Sequence, residues 1–203
     1  MNNVDKVLGV INYTKSDKNS YGGPRFEAGY HSFVLEDKLY KGTRDNINRI
    51  NQVKGFDFTD KVVLDIGCNM GGVLHSIGKT IKYGVGVDVS FKCINAANLV
   101  KDLNKQSNLS FYVFNLDNED FRLINDFVLA DRVDICMFLA VAMHINKWRE
   151  VIQFCFETSD TLLFEANGKQ HKQTAQIDFI NNLYNKVTFL FNDGRRQMFL
   201  CEK

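Results

Sequence analysis

The chain has 203 residues, 45% of them hydrophobic and 12% aromatic, which suffices for one domain with its own core. Twenty-five Lys and Arg oppose 24 Asp and Glu for a net charge of +1, excluding a strongly basic nucleic-acid coat and an acidic solvating tail. No apolar run approaches the ~18 residues that cross a bilayer, Met1–Lys18 has no signal-peptide core, and the five scattered cysteines form no C-x-x-C pair, so a reduced, cytoplasmic protein without a metal site is expected.

Residues 1–20 read as loosely ordered, and Tyr21-Gly-Gly-Pro24 as a turn. Phe33-Val-Leu35 and Lys38-Leu-Tyr40 read as short strands around Glu36-Asp37, and Thr43, Asn46 and Ile47 as the start of a helix running through Ile50 and Val53. From Lys61 the pattern becomes regular. Lys61–Ile66 is an apolar strand ending at a glycine cluster, Gly72–Thr80 a short helix, and Tyr83–Val89 a second strand. Ser90 caps a helix running to Leu103, and Leu109–Asn115 is a third strand. Asp120–Leu129 reads as a helix. Val133–Val141 is apolar throughout, as a parallel strand covered on both faces should be. Lys147–Thr158 is a helix, Thr161–Phe164 a strand, and Thr174–Tyr184 a helix. Val187–Phe191 and Gln197–Cys201 form a hairpin around Asn192-Asp193-Gly194. The alternation predicts an α/β fold with a mostly parallel sheet and an antiparallel hairpin at the end, with any ligand at the carboxyl ends of the strands.

The chemistry concentrates in Asp65-Ile-Gly67-Cys68-Asn69-Met-Gly71-Gly72 and in Asp88, 21 residues after Gly67. Glycines accept positive φ and close approach by a ligand, Asn69 tolerates the left-handed region, and a carboxylate closing the second strand can accept from both ribose hydroxyls of an adenosine. The alternative is a structural turn with a surface aspartate. These residues resemble motifs I and II of the class I S-adenosylmethionine-dependent methyltransferases, although Asn69 replaces the usual middle glycine. A carboxylate at Asp65 suits the amino-acid end of that cofactor and would oppose a pyrophosphate, which disfavours a nicotinamide oxidoreductase.

The resemblance runs from about Phe58 to Lys203 and implies a Rossmann-like seven-stranded sheet with helices on both faces. It implies that S-adenosyl-L-methionine is held by Asp65, Gly67, Cys68, Asn69, Gly71, Asp88, Val89, Leu116, Asp117 and Leu139, with Asp117 accepting from the adenine amino group. Residues 1–57 would form a recognition segment over the cofactor mouth, and 58–203 the methyltransferase core. The segment around Tyr30-His31 and Arg44 is loosely similar to tRNA wobble-uridine carboxymethyl-transferring enzymes and to sugar- and metabolite-modifying relatives.

His144, after the fourth core strand, is the candidate base or acceptor-orienting group; the alternative is a helix cap. Glu165, ending the fifth, lines the same pocket or sits on the following loop. His31 and Arg44 are candidate acceptor contacts, and an arginine at 44 or 49 could pair with an anionic acceptor or the cofactor carboxylate, or simply be solvated. His75 reads as structural. Cys68 has no neighbouring base and is not expected to act as a nucleophile. The leading expectation is methyl transfer to a small or sugar-containing acceptor. Alternatives are an RNA-base methyltransferase, which would need a positive groove, and a non-catalytic cofactor-binding partner.

Overall fold

The computed structural model describes residues 2–14 and 26–203; the turn expected at Tyr21–Pro24 lies outside them. The chain opens with α1 (Asn3–Tyr13), then a hairpin of β1 (Phe33–Leu35) and β2 (Lys38–Tyr40), then α2 (Asn46–Asn51). The core follows as β3 (Val62–Ile66), α3 (Gly72–Ile77), β4 (Tyr83–Asp88), α4 (Phe91–Leu103), β5 (Leu109–Val113) and α5 (Leu123–Phe127). It continues through β6 (Ile135–Leu139), a 3₁₀ turn (Ala142–His144), α6 (Trp148–Thr158), β7 (Thr161–Glu165), α7 (Gln170–Leu183), β8 (Lys186–Asn192) and β9 (Gln197–Glu202).

Seven strands form one sheet in the order β5-β4-β3-β6-β7-β9-β8. The first five are parallel, and β9 inserts antiparallel between β7 and β8. The order reverses between β3 and β6, so a crevice opens there at the carboxyl ends of the strands. Alternation divides each strand between two cores. Leu64 and Ile66 pack with Phe138, Val151, Ile152 and Ile180 on the α6–α7 side. Val63, Ile135 and Met137 pack with Val73, Leu74, Ile77 and Ile94 on the α3–α4 side. By the same alternation Asp65 belongs to the second face, where that core ends and the crevice begins.

The N-terminus departs from the expectation of loose order. Asn2 caps α1 reciprocally: its side chain accepts from the Asp5 N–H, and the Asp5 carboxylate accepts from the Asn2 N–H. Val4, Val7 and Ile11 are buried on one stripe and meet Cys93, Ala96, Val100 and Met70 in a third cluster. Helix α4 is thus covered on both sides, Ile94 and Ala97 facing the sheet and Ala96 and Val100 facing α1. Other boundaries move too: α7 starts at Gln170 rather than Thr174, and α3 ends at Ile77 rather than Thr80. The helix expected at Asp120–Leu129 shrinks to α5, because the Asp120 carboxylate accepts from the Arg122 backbone N–H and makes a turn there. The helix through Val53 ends at Asn51, with Asp45 rather than Thr43 as its cap.

Ile11 is fully buried in this third cluster. Ile11→Ala should lower stability by about 2–5 kcal/mol, read as a lower urea midpoint at unchanged slope, whereas an undocked α1 would leave the midpoint where it is.

Candidate functional site

The strand-to-helix turn after β3 is a closed unit. Gly67, Asn69 and Gly71 have φ of 77°, 54° and 67°. A side chain at Gly67 would drive its Cβ to 2.5 Å from Val141, and one at Gly72 to 2.5 Å from the His31 ring. The Gly67 and Cys68 N–H groups both donate to the Val87 carbonyl (2.8 and 3.0 Å), and the Gly71 N–H to the Cys68 carbonyl at 2.9 Å. The Asn69 N–H donates to Asp88 Oδ2 and the Met70 N–H to Asn69 Oδ1, both at 2.9 Å. From Gly67 to Gly71 every loop amide is used within the chain.

Beside this loop lies a cavity of about 450 Å³, lined by Asp65, Gly67, Cys68, Asn69, Asp88, Val89, Leu116, Asp117 and Leu139 of the expected set. His144 and His31 also line it. Gly71, Arg44 and Glu165 do not. Gly71 turns the chain into α3. Arg44 pairs with Asp193 at 2.9 Å on the hairpin turn. Glu165, 2% exposed, accepts from Arg49 Nη2 at 2.6 Å and lies 3.6 Å from Arg196 Nη1. Its carboxylate is therefore engaged by guanidinium groups beneath the cavity wall.

Asp65 is 3% exposed. Burial pushes its carboxyl up to about 7, Arg49 opposing and Asp88 adding to the rise; no hydrogen bond acts on it. It is a desolvated carboxylate facing a cavity with nothing bonded to it. Asp88 differs: one oxygen accepts from the Asn69 N–H and the other from the Ser90 N–H at 2.8 Å. Burial raises its pKa and those two bonds oppose the rise. Each oxygen keeps a lone pair for a further donor. Asp117 accepts from the Asn146 N–H (2.8 Å), the Lys147 N–H (3.2 Å) and the Asn146 side-chain amide (3.3 Å). Three of a carboxylate's roughly four acceptor positions thus clamp the loop after the 3₁₀ turn.

His144 ends the 3₁₀ turn, held in place by Asn167, whose amide donates to the Ala140 carbonyl at 2.6 Å and accepts from the Met143 N–H at 3.0 Å. Partial burial, then Arg196 and Lys172, lower the His144 pKa, so its ring is neutral at pH 7. His31 is held down to about 3 by burial and by Arg49, Arg44 and His75, and its Nδ1 is buried with no partner. Burial also raises the Cys68 thiol well above its ordinary range, consistent with a wall rather than a nucleophile. Among the described residues, no three His, Cys, Asp or Glu side chains group as metal ligands.

Phe114, Ile145 and Arg196 line the cavity without having been foreseen, as does Tyr30 beside the expected His31, and Arg49 lines it where pairing with an anionic acceptor or the cofactor carboxylate was one expectation. Arg196 follows the Asn192–Gly194 turn, whose end is brought to the crevice by the antiparallel insertion of β9. Asn46 also escaped notice: buried, it accepts from the Ser32 N–H (2.9 Å) and donates to the Gly72 carbonyl (2.6 Å), tying the N-terminal segment to the glycine loop.

No protein-family model and no curated protein sequence matches the chain. Solved structures do. The N-terminal domain of EvdMO1, crystallised in the presence of SAH and D-fucose, aligns with a TM-score of 0.68 at 10% identity over 100% of this chain and 97% of that one. Full-length EvdMO1 aligns equally well, but this chain spans only 47% of its length. Magnesium protoporphyrin IX methyltransferase (ChlM) from Synechocystis PCC 6803, with bound SAM, gives 0.59 at 15% identity over 77% of both chains. The fold is that of the class I S-adenosylmethionine-dependent methyltransferases. In this methyltransferase fold the crevice at the strand-order reversal holds Asp65, Asp88 and His144 together, as the sequence resemblance implied for the sheet.

Because the folded Asp65 carboxyl holds its proton more tightly than the unfolded one, its stabilising contribution is present below about pH 4 and is lost as pH rises through about 7. Asp65→Asn removes that loss. Measured without ligand, the stability of the variant relative to the wild type should improve by on the order of 1–2 kcal/mol between about pH 5 and pH 8. A flat difference would mean that the carboxylate is solvated or paired. Comparing the two proteins cancels the opposing titration of buried His31 and His75, both depressed by burial.

Proposed function

We propose that the protein is an S-adenosylmethionine-dependent methyltransferase acting on a hydroxyl of a small, sugar-type acceptor. The observation that carries this reading is a bare, desolvated Asp65 lining the cavity beside the glycine loop. A carboxylate there opposes a pyrophosphate and invites a cation. The ammonium group of the cofactor's amino-acid end would meet Asp65, with Arg49 near its carboxylate. The ribose hydroxyls would take the open lone pairs of Asp88, and Val89, Phe114, Leu116 and Ile145 would wall the adenine. Asp117 serves by holding the Ile145–Lys147 loop against that wall.

When bound, the cofactor supplies a methyl group made electrophilic by an adjacent sulfonium. The protein's part is to dry the cavity, align the acceptor and take its proton. His144, neutral and fixed by Asn167, is the base at the mouth. The sugar-type acceptor draws support from the D-fucose present with the EvdMO1 domain, and the oxygen nucleophile from a neighbour described as an O-methyltransferase family protein from Burkholderia thailandensis (TM-score 0.60, 14% identity, 77% of this chain and 55% of that one).

Calorimetric titration with S-adenosylmethionine, S-adenosylhomocysteine and NAD tests the reading: the adenosyl ligands should bind at sub-millimolar concentration and NAD should not, and failure of both adenosyl ligands overturns it. Asp88→Ala should weaken S-adenosylhomocysteine binding by about 1.5–3 kcal/mol. On an acceptor found by screening hydroxylated small molecules, His144→Ala should lower kcat by about 10²–10⁴-fold while leaving S-adenosylhomocysteine affinity unchanged. Undiminished turnover would remove His144 as the base.

A further inference from the structure

Three guanidinium groups gather where the N-terminal segment meets the carboxyl ends of β7 and β9, against two carboxylates. Arg44 is closed by Asp193 at 2.9 Å. Arg49 is closed by Glu165 at 2.6 Å. Arg196 has no carboxylate of its own: it approaches, at 3.6 Å, the same Glu165 oxygen that Arg49 already holds. Its Nη1 is buried without a hydrogen-bond partner, and the side chain lines the cavity. Three guanidinium groups thus share two carboxylates, and the surplus cation, its side chain 26% exposed, lines the cavity where a compensating anion can arrive.

Its neighbours fix which ligand that anion belongs to. Arg49, not Arg196, acts electrostatically on Asp65. Arg196 acts instead on His144 and on Tyr30, away from the acidic end of the crevice. The amino-acid end of the cofactor, in the reading above, is served by Asp65 and Arg49. Arg196, with Tyr30 beside it, lies toward His144 and so toward the acceptor.

We propose that the acceptor is acidic, carrying a carboxylate or phosphate that Arg196 holds at the β8–β9 turn beside Tyr30, while His144 meets its reacting hydroxyl. The planar guanidinium fork matches either oxyanion with two parallel N–H bonds, and a fixed anion orients the hydroxyl in a way a neutral sugar would not permit. This inference rests on the methyltransferase reading for the role of the ligand, and on the arginine cluster for its charge.

The test uses the full chain saturated with S-adenosylhomocysteine and titrated with glucuronate, glucose 6-phosphate and glucose. At least one of the two anions should bind tenfold or more tightly than glucose, and which one separates a carboxylate from a phosphate. Arg196→Gln should abolish that preference with S-adenosylhomocysteine affinity unchanged, and Arg196→Lys should retain part of it. Equal binding of all three sugars overturns the inference, as does a preference that survives Arg196→Gln. Loss of S-adenosylhomocysteine affinity in Arg196→Gln also overturns it, since Arg196 would then serve the cofactor. If the wild type binds no S-adenosylhomocysteine, the methyltransferase reading falls, and the same titrations on the unliganded chain still decide whether Arg196 holds an oxyanion.

Discussion

Glu165 ends the central strand β7 as a carboxylate 2% exposed, and a charge so deep in the sheet requires a cation within bonding distance. The cation is Arg49, which reaches it from α2, 116 residues away in sequence, at 2.6 Å. That one ion pair joins the N-terminal segment to the carboxyl ends of the strands. The Arg44–Asp193 pair repeats the connection at the hairpin turn, and Asn46 repeats it at the glycine loop. The N-terminal segment is therefore joined to the strand ends and the glycine loop by polar bonds, while α1 is secured separately, by apolar packing on α4. Polar attachment of this kind costs more desolvation than apolar packing, but it fixes orientation, and orientation is what a site needs.

The glycine loop uses the amides of residues 67–71 within the chain itself. A loop that cradles phosphate leaves its amides pointing outward. Here two amides converge on the Val87 carbonyl and a third on Asp88, which the parallel β3–β4 register brings alongside. Asp88 is thereby fixed as part of the loop. Asp65, on the neighbouring strand, gets no such bond and stays open to the cavity, its carboxyl raised to about 7 by burial. Asn69 fits because its left-handed backbone aims the amide at Asp88 and its side chain caps Met70, a task that a glycine in its place would perform only in part.

Much of this was legible in the sequence, and the exceptions share a cause. The strands, the helices between them and the terminal hairpin follow from apolar runs and turn residues, which are local properties. The loop acids Asp65 and Asp88 follow from spacing along adjacent strands. Helix α1 was also legible, in Asn2 with Asp5 and in Val4, Val7 and Ile11, but the polar composition around it masked a three-residue stripe. Glu165 and Arg196 were not legible. Whether a strand-end carboxylate faces a pocket or an arginine depends on a partner more than a hundred residues distant. Whether a hairpin arginine is solvated depends on β9 entering between β7 and β8. Asp117 lies between these cases: its place on the cavity wall follows from the strand before it, but its occupation by Asn146 and Lys147 is a tertiary fact.

The cavity that results is polarised. Asp65 and Asp88 stand at its β3–β4 end, and Arg49 and Arg196 at the end where β7 and β9 meet. Between them the walls mix Phe114, Leu116 and Leu139 with Tyr30, His31, Asn115 and His144, and the two charged ends act on whatever lies between them. A cationic group is favoured against the acids and an anionic one against Arg196. A displacement between two such ligands, with positive charge leaving one and passing to the other's reacting atom, would run along the axis the protein has already charged. Water competing for the same space would weaken both ends at once, and the N-terminal segment takes up part of that space: Tyr30, His31 and Arg49 line the cavity, while Arg49 and Asn46 bond the segment to Glu165 and Gly72.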